Sequence, residues 1–139
     1  MKIIQVVGGA NSGKTTFINN LIPVLRQKGQ VAVIKHLGDH EYQLEEDKDT
    51  TLFFHNGATI SVGIDSDKSV ITAHKNTLDD ILSLLSFKKM DFVIIEGFKT
   101  RPFPKIVIGD LNIGNCVLRN PSTGQVIESL DAFEDFFIE

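Results

Sequence analysis

Residues 8–15 read Gly8-Gly9-Ala10-Asn11-Ser12-Gly13-Lys14-Thr15, which fits the pattern G-x-x-x-x-G-K-[ST]. An apolar run, Lys2–Val7, precedes this stretch, and a segment with helical periodicity, Lys14–Lys28, follows it. Strand, glycine-rich turn and helix in that order form the context in which the pattern wraps a polyphosphate. Backbone N–H groups turned inward satisfy phosphate oxygens. Gly8 and Gly13 permit a close approach and backbone angles that a Cβ would block. The helix start adds the positive end of its dipole. Lys14 reaches the β- and γ-phosphates, and the Thr15 hydroxyl is placed to ligate Mg²⁺. Gly9, Ala10, Asn11, Ser12 and Thr16 complete the candidate nucleotide loop, and Lys14 is also a candidate catalytic residue.

Working outward, Phe17, Ile18, Leu21, Ile22 and Leu25 share one helix face, Gly29 stands where a left-handed cap belongs, and Pro23 predicts a bend. Gln30–Lys35 is a second strand, His36–Glu46 a polar loop, and Asp47–Asn56 a helix stopped by Gly57. Thr59–Ile64 and Ser69–Ala73 read as strands joined by the turn Asp65–Lys68. Thr77–Phe87 is a helix with Thr77 as cap and Asp80 three residues on. Asp91–Ile95, Lys105–Ile108 and Cys116–Arg119 are further strands, and Asp131–Ile138 reads as a short acidic helix. This alternation predicts an α/β protein with a mostly parallel central sheet and helices on both faces, the three-layer P-loop NTPase fold, as a single domain over residues 1–139. Ile3–Val7 and Phe92–Ile95 are apolar on both faces, as central strands require. Ligands of such sheets bind beyond the carboxyl ends of the strands.

The other candidates cluster at those ends. Glu96 closes the strand after Ile95 and suits a carboxylate that holds Mg²⁺ or orients an attacking water. Asp91 is the rival, but five strand residues span about 16 Å and put it at the opposite edge. Gly97 allows a sharp turn beside the phosphates. Lys99, Arg101 and Lys105, stiffened by Pro102 and Pro104, form a basic loop able to hold a second anionic ligand. Lys35 and His36 end the second strand, and with Asp39, His40, Glu41 and Asp49 they suggest a charged loop contacting nucleotide or substrate. His36 and His40 are too few for a zinc site. His55 and His74 read as surface residues, and Phe103, Phe133, Phe136 and Phe137 as packing residues.

Bulk properties narrow the class. The chain is 42% apolar and 23% charged, ordinary for a globular protein, so neither disorder nor a fibre is expected. Its net charge of −4 argues against a broad grip on nucleic acid. No run approaches the roughly 20 apolar residues that span a bilayer. The N-terminal apolar run is too short for a signal core, so the expected location is cytoplasmic. Cys116, the single cysteine, is expected to be a small buried residue.

Several segments in order resemble the MobB family, the molybdopterin-guanine dinucleotide biosynthesis adaptors of the P-loop GTPase superclass. The similar parts are Gly8 through Thr16, Leu21-Ile22-Pro23 with Gly29, Val33-Ile34-Lys35-His36, Lys48-Asp49-Thr50, Gly57-Ala58, Ile95-Glu96-Gly97-Phe98-Lys99 and Pro104-Lys105-Ile106. They span Met1 to about Ile108. The resemblance implies a homodimer that binds GTP with Mg²⁺, hydrolyses it slowly at most, and assists attachment of GMP to molybdopterin alongside a guanylyltransferase. The sequence departs from the family in a thinned histidine-rich stretch, here Gly38-Asp39-His40, and in the missing arginine after Pro104-Lys105-Ile106. A small-molecule kinase on the same phosphate loop is the alternative. Such kinases shield the transferring phosphoryl with an arginine-bearing lid, and here only Arg26, Arg101 and Arg119 are present, with no evident lid insertion.

Overall fold

A strand that is apolar at consecutive positions needs cover on both faces, and the segment from Ile3 to Gly8 is buried throughout. The computed structural model describes residues 1–74 and 76–138. Along the chain run β1 (Lys2–Gly8), α1 (Lys14–Arg26), β2 (Val31–Lys35), α2 (Asp49–His55), β3 (Ile60–Ile64), β4 (Ser69–Ala73), α3 (Leu78–Phe87), β5 (Phe92–Glu96), β6 (Lys105–Ile108), β7 (Cys116–Arg119), α4 (Thr123–Glu128) and β8 (Glu134–Asp135). They fall into two compact units, residues 39–81 and the remainder.

In the larger unit the main sheet has the order β2-β5-β1-β6-β7, all parallel, with β8 antiparallel to β1. This is the mostly parallel α/β architecture of P-loop NTPases. Ile18, Leu21 and Leu25 of α1 pack with Val126 of α4 and with Phe133 on Ile4, Val6, Phe92, Ile94, Ile106 and Ile108. Hydrophobic burial on that face fixes α1 over the sheet and so fixes the loop that opens it. The helix runs through Pro23 without ending.

In the smaller unit β3 and β4 form an antiparallel hairpin, with the Asp65 carboxylate accepting from the N–H groups of Asp67 and Lys68, both at 2.8 Å. Ser61 is buried and its hydroxyl donates to the Thr50 carbonyl of α2 at 2.8 Å. His74 is exposed, yet its ring stacks on Phe54 at 3.8 Å. Thr77 and Asp80 make the expected reciprocal cap of α3, with the Asp80 carboxylate accepting from the Thr77 N–H and hydroxyl, each at 2.8 Å. Among the described residues no helix is long and apolar enough to cross a membrane.

The structure corrects four expectations. Gly29 is not in the left-handed region. It is required because a Cβ there would lie 2.4 Å from the Asp91 carboxylate, which accepts from the Gln30 N–H at 2.7 Å. The acidic helix over residues 131–138 is absent. β6 pairs only with Gln5–Gly8, leaving an open edge at Lys2 and Ile3, and Glu134–Asp135 fills that edge as β8. The Lys2 ammonium sits 3.1 Å from the Asp135 carboxylate. Cys116 is exposed rather than buried, because it opens the outermost strand of the sheet. Phe137 is 76% exposed, whereas Phe103 and Phe133 are buried as expected of packing residues.

Candidate functional site

The phosphate loop leaves β1 at Gly8, which lies against the end of β6. A Cβ on Gly8 would stand 2.4 Å from the Ile108 carbonyl oxygen and 2.7 Å from the Ser12 hydroxyl, so only glycine fits. The loop ends at Gly13, whose φ of +96° aims the chain into α1. No side chain caps this helix and no acid stands in its first turn. Its first N–H groups therefore keep their capacity for an outside acceptor, and its dipole favours an anion there. The Lys14 ammonium arches over the loop, donating to the carbonyls of Gly8 at 3.0 Å and Gly9 at 2.8 Å. An ammonium has three donors, so one remains for a phosphate oxygen.

Asn11, Ser12, Gly13, Lys14, Thr15 and Thr16 line a cavity of about 450 Å³ together with Lys35 and Glu96. That volume lies within the usual small-ligand range. Glu96 closes β5 with its side chain 13% exposed, and the Lys35 ammonium stands 3.8 Å from its carboxylate. Asp91 lies at the other end of the β1–β5 pairing, where it holds Gln30. The β1–β5 register thus puts Glu96 at the end that leads into the phosphate loop and Asp91 at the opposite end. A neighbouring cavity of about 500 Å³ shares Lys14 and Glu96 and adds Gly8, Ala10, His36, Gly97, Phe98 and Lys99. His36 stacks on Phe98 at 4.1 Å, and its N–H donates to the Glu96 carbonyl at 2.9 Å.

Two sequence candidates remain to be placed, Lys105 in the larger unit and Asp49 in the smaller one. Lys105 is not a free cation for a second ligand. It is 1% exposed, and its ammonium donates to the carbonyls of Arg101 and, at 2.9 Å, Phe103. Burial pushes that ammonium below the ordinary lysine value. It braces the Arg101–Phe103 turn, and the proline-stiffened loop needs this because Pro102 and Pro104 lack donors of their own. Asp49 opens α2 in the smaller unit.

One residue of the site was missed. Gln5 is wholly buried in the middle of β1 and donates to the carbonyls of both Gly97 and Phe98 at 2.8 Å. The available signal was a carboxamide inside an otherwise apolar strand.

Comparison with known proteins agrees with this geometry. The family "Molybdopterin guanine dinucleotide synthesis protein B" (MobB) matches residues 3–128. A probable molybdopterin-guanine dinucleotide biosynthesis adapter protein of Bacillus subtilis is 37% identical over 110 residues, 76% of this chain and 64% of that protein. A putative adapter protein of the same description from Methanocaldococcus jannaschii is 38% identical over 112 residues, 78% of this chain and 47% of that protein. The chain thus spans from about half to just under two thirds of the length of these relatives. The crystal structure of Bacillus subtilis MobB superposes with a TM-score of 0.73 at 25% identity, covering 96% of this chain and 99% of that one. On the family match over residues 3–128, with a phosphate loop at the head of a parallel sheet, the chain belongs to the MobB family.

Proposed function

We propose that this chain binds GTP with Mg²⁺ at the phosphate loop and serves as an adaptor when GMP is attached to molybdopterin, with slow hydrolysis at most. The observation that carries this reading is the convergence of an uncapped helix start, Lys14, Thr15 and Glu96 on one cavity. Backbone N–H groups of the loop bind the phosphate oxygens, and Lys14 spans the β- and γ-phosphates as it now spans two loop carbonyls. A hydroxyl and a carboxylate are the hard oxygen donors that Mg²⁺ takes, so Thr15 and Glu96 fit that ion. Held by Thr15 and Glu96, that ion would supply neutralisation of phosphate charge. Glu96, with Lys35 beside it, orients a water or holds the ion's hydration shell. Lys99 and His36 face the neighbouring cavity and are assigned to the second, anionic ligand, and Asp49 to the charged switch segment.

The preference for guanine, the homodimer and the guanylyltransferase partner are part of the same proposal and are supported by the family match, and a cytoplasmic location is proposed with them. Titration calorimetry tests the site: Lys14→Ala is expected to keep the fold and to lose about a hundredfold or more in affinity for GTP·Mg²⁺. Unchanged affinity for both GTP and ATP refutes the assignment. Negligible turnover in a phosphate-release assay is expected, whereas rapid phosphoryl transfer to an acceptor identifies a kinase instead.

A further inference from the structure

β1 breaks its own pattern at one position. Ile3, Ile4, Val6 and Val7 are buried and apolar, and between them Gln5 is equally buried. Its carboxamide meets two carbonyl oxygens, those of Gly97 and Phe98, both at 2.8 Å. Carbonyls only accept, so the NH₂ end must face them and both of its protons are used. The Oε1 end has no hydrogen-bond partner among the described residues. Leaving a buried acceptor unpaired is costly, so the position is selected for its paired donors.

The segment it grips is the turn immediately after Glu96. Gly97 has a φ of +92°, and a Cβ there would stand 2.9 Å from the His36 Cβ. Phe98 is left-handed at φ +52°, an uncommon conformation for a bulky residue. The Gly97 N–H donates to the Val6 carbonyl at 3.2 Å, and His36 holds the Glu96 carbonyl and stacks on the Phe98 ring. Strained backbone persists only where its surroundings over-determine it. Here the paired donors of Gln5 supply that determination from within the central strand β1.

We propose that Gln5 is a positioning residue: by holding the Gly97–Phe98 turn it fixes the Glu96 carboxylate against the phosphate cavity for its work on nucleotide-bound Mg²⁺. This rests on the reading of Glu96 given above. Gln5 lines neither of the two cavities and acts through Glu96.

The test is a double-mutant cycle on the Mg²⁺-dependent part of GTP affinity, taken as the ratio of affinities in Mg²⁺ and in EDTA. The Gln5→Met variant keeps the volume and removes the donors. It is expected to lower that ratio by about tenfold, the equivalent of one or two hydrogen bonds, and to leave the EDTA affinity within about twofold of wild type. In a Glu96→Gln background the same substitution is expected to change the ratio no further. A role confined to stability predicts equal loss in Mg²⁺ and EDTA, and that outcome overturns the proposal, as does a full effect of Gln5→Met in the Glu96→Gln background. If Gln5→Met does not fold, Gln5→Asn keeps the carboxamide but draws its donors back by one methylene from the Gly97 and Phe98 carbonyls, and it carries the same expectations. A wild-type protein whose GTP affinity ignores Mg²⁺, or in which Glu96→Gln alone changes nothing, defeats the underlying reading of Glu96. A normal Glu96 effect with an unaltered Gln5→Met ratio defeats this proposal alone.

Discussion

Gly8→Ala and Gly9→Ala make a matched pair that isolates one cause. Both add a methyl to adjacent loop glycines, and neither position has a positive φ. At Gly8 the new Cβ falls 2.4 Å from the Ile108 carbonyl oxygen, where an ordinary contact is nearer 3.4 Å, so the end of β1 and the end of β6 must part by about 1 Å. At Gly9 nothing lies within 4 Å of the new atom. Forcing one extra carbon into a packed contact costs about 1–3 kcal/mol. Gly8↔Ile108 closes the register between the two strands, so relaxation at that end also strips a ladder position. Urea unfolding without nucleotide is therefore expected to show Gly8→Ala less stable by about 1–3 kcal/mol and Gly9→Ala within about 0.5 kcal/mol of wild type. Equal stability of the two variants refutes the claim that close approach to β6 selects glycine at residue 8.

Lys105→Met is expected to destabilise the fold by about 2–4 kcal/mol in chemical unfolding, because two loop carbonyls lose their donor. The same change at exposed Lys99 is expected to stay within about 0.5 kcal/mol. Ser122→Ala breaks the cap in which the Ser122 hydroxyl accepts from the Gln125 N–H at 3.1 Å, and a loss of about 1 kcal/mol is expected in the same assay. Hydrogen bonds from Thr77 hold the Asp80 carboxyl below its ordinary value. Its contribution to stability is therefore complete above the usual carboxylate pKa and is lost as pH falls through the lowered folded value. Asp80→Asn is expected to flatten that part of the acid limb of a stability-against-pH profile.

What could be read from the sequence was local and repetitive. The phosphate loop, the helical face of α1 and the doubly apolar strands each state their environment within about ten residues. The position of Glu96 followed from strand length alone. What could not be read was set by partners distant in sequence. Gly29 answers to Asp91 and the two donors of Gln5 to carbonyls at 97 and 98, whereas the Lys105 ammonium folds back on carbonyls only two and four residues away, a local contact that its charge did not signal. The tail around Glu134 carries acidic residues that also suit a helix, and only the open edge of β1 decides for a strand. α4 was legible and overlooked: Ser122 followed three residues later by Gln125 is a helix-start signature.

The pairing of β1 has a consequence for how this protein is made. Its neighbours begin at Phe92, Lys105 and Glu134, so this strand has no partner until some ninety residues later in synthesis. At about 5–20 residues per second that is a wait of roughly 5–20 s for a strand whose side chains are mostly apolar. Throughout that interval a nascent chain presents a sticky, unmatched template, the kind of segment that holdase chaperones shield. Limited proteolysis of ribosome-stalled chains is expected to find β1 cleavable until residues past Glu96 have cleared the exit tunnel, and protection before then would show that some other segment shelters it.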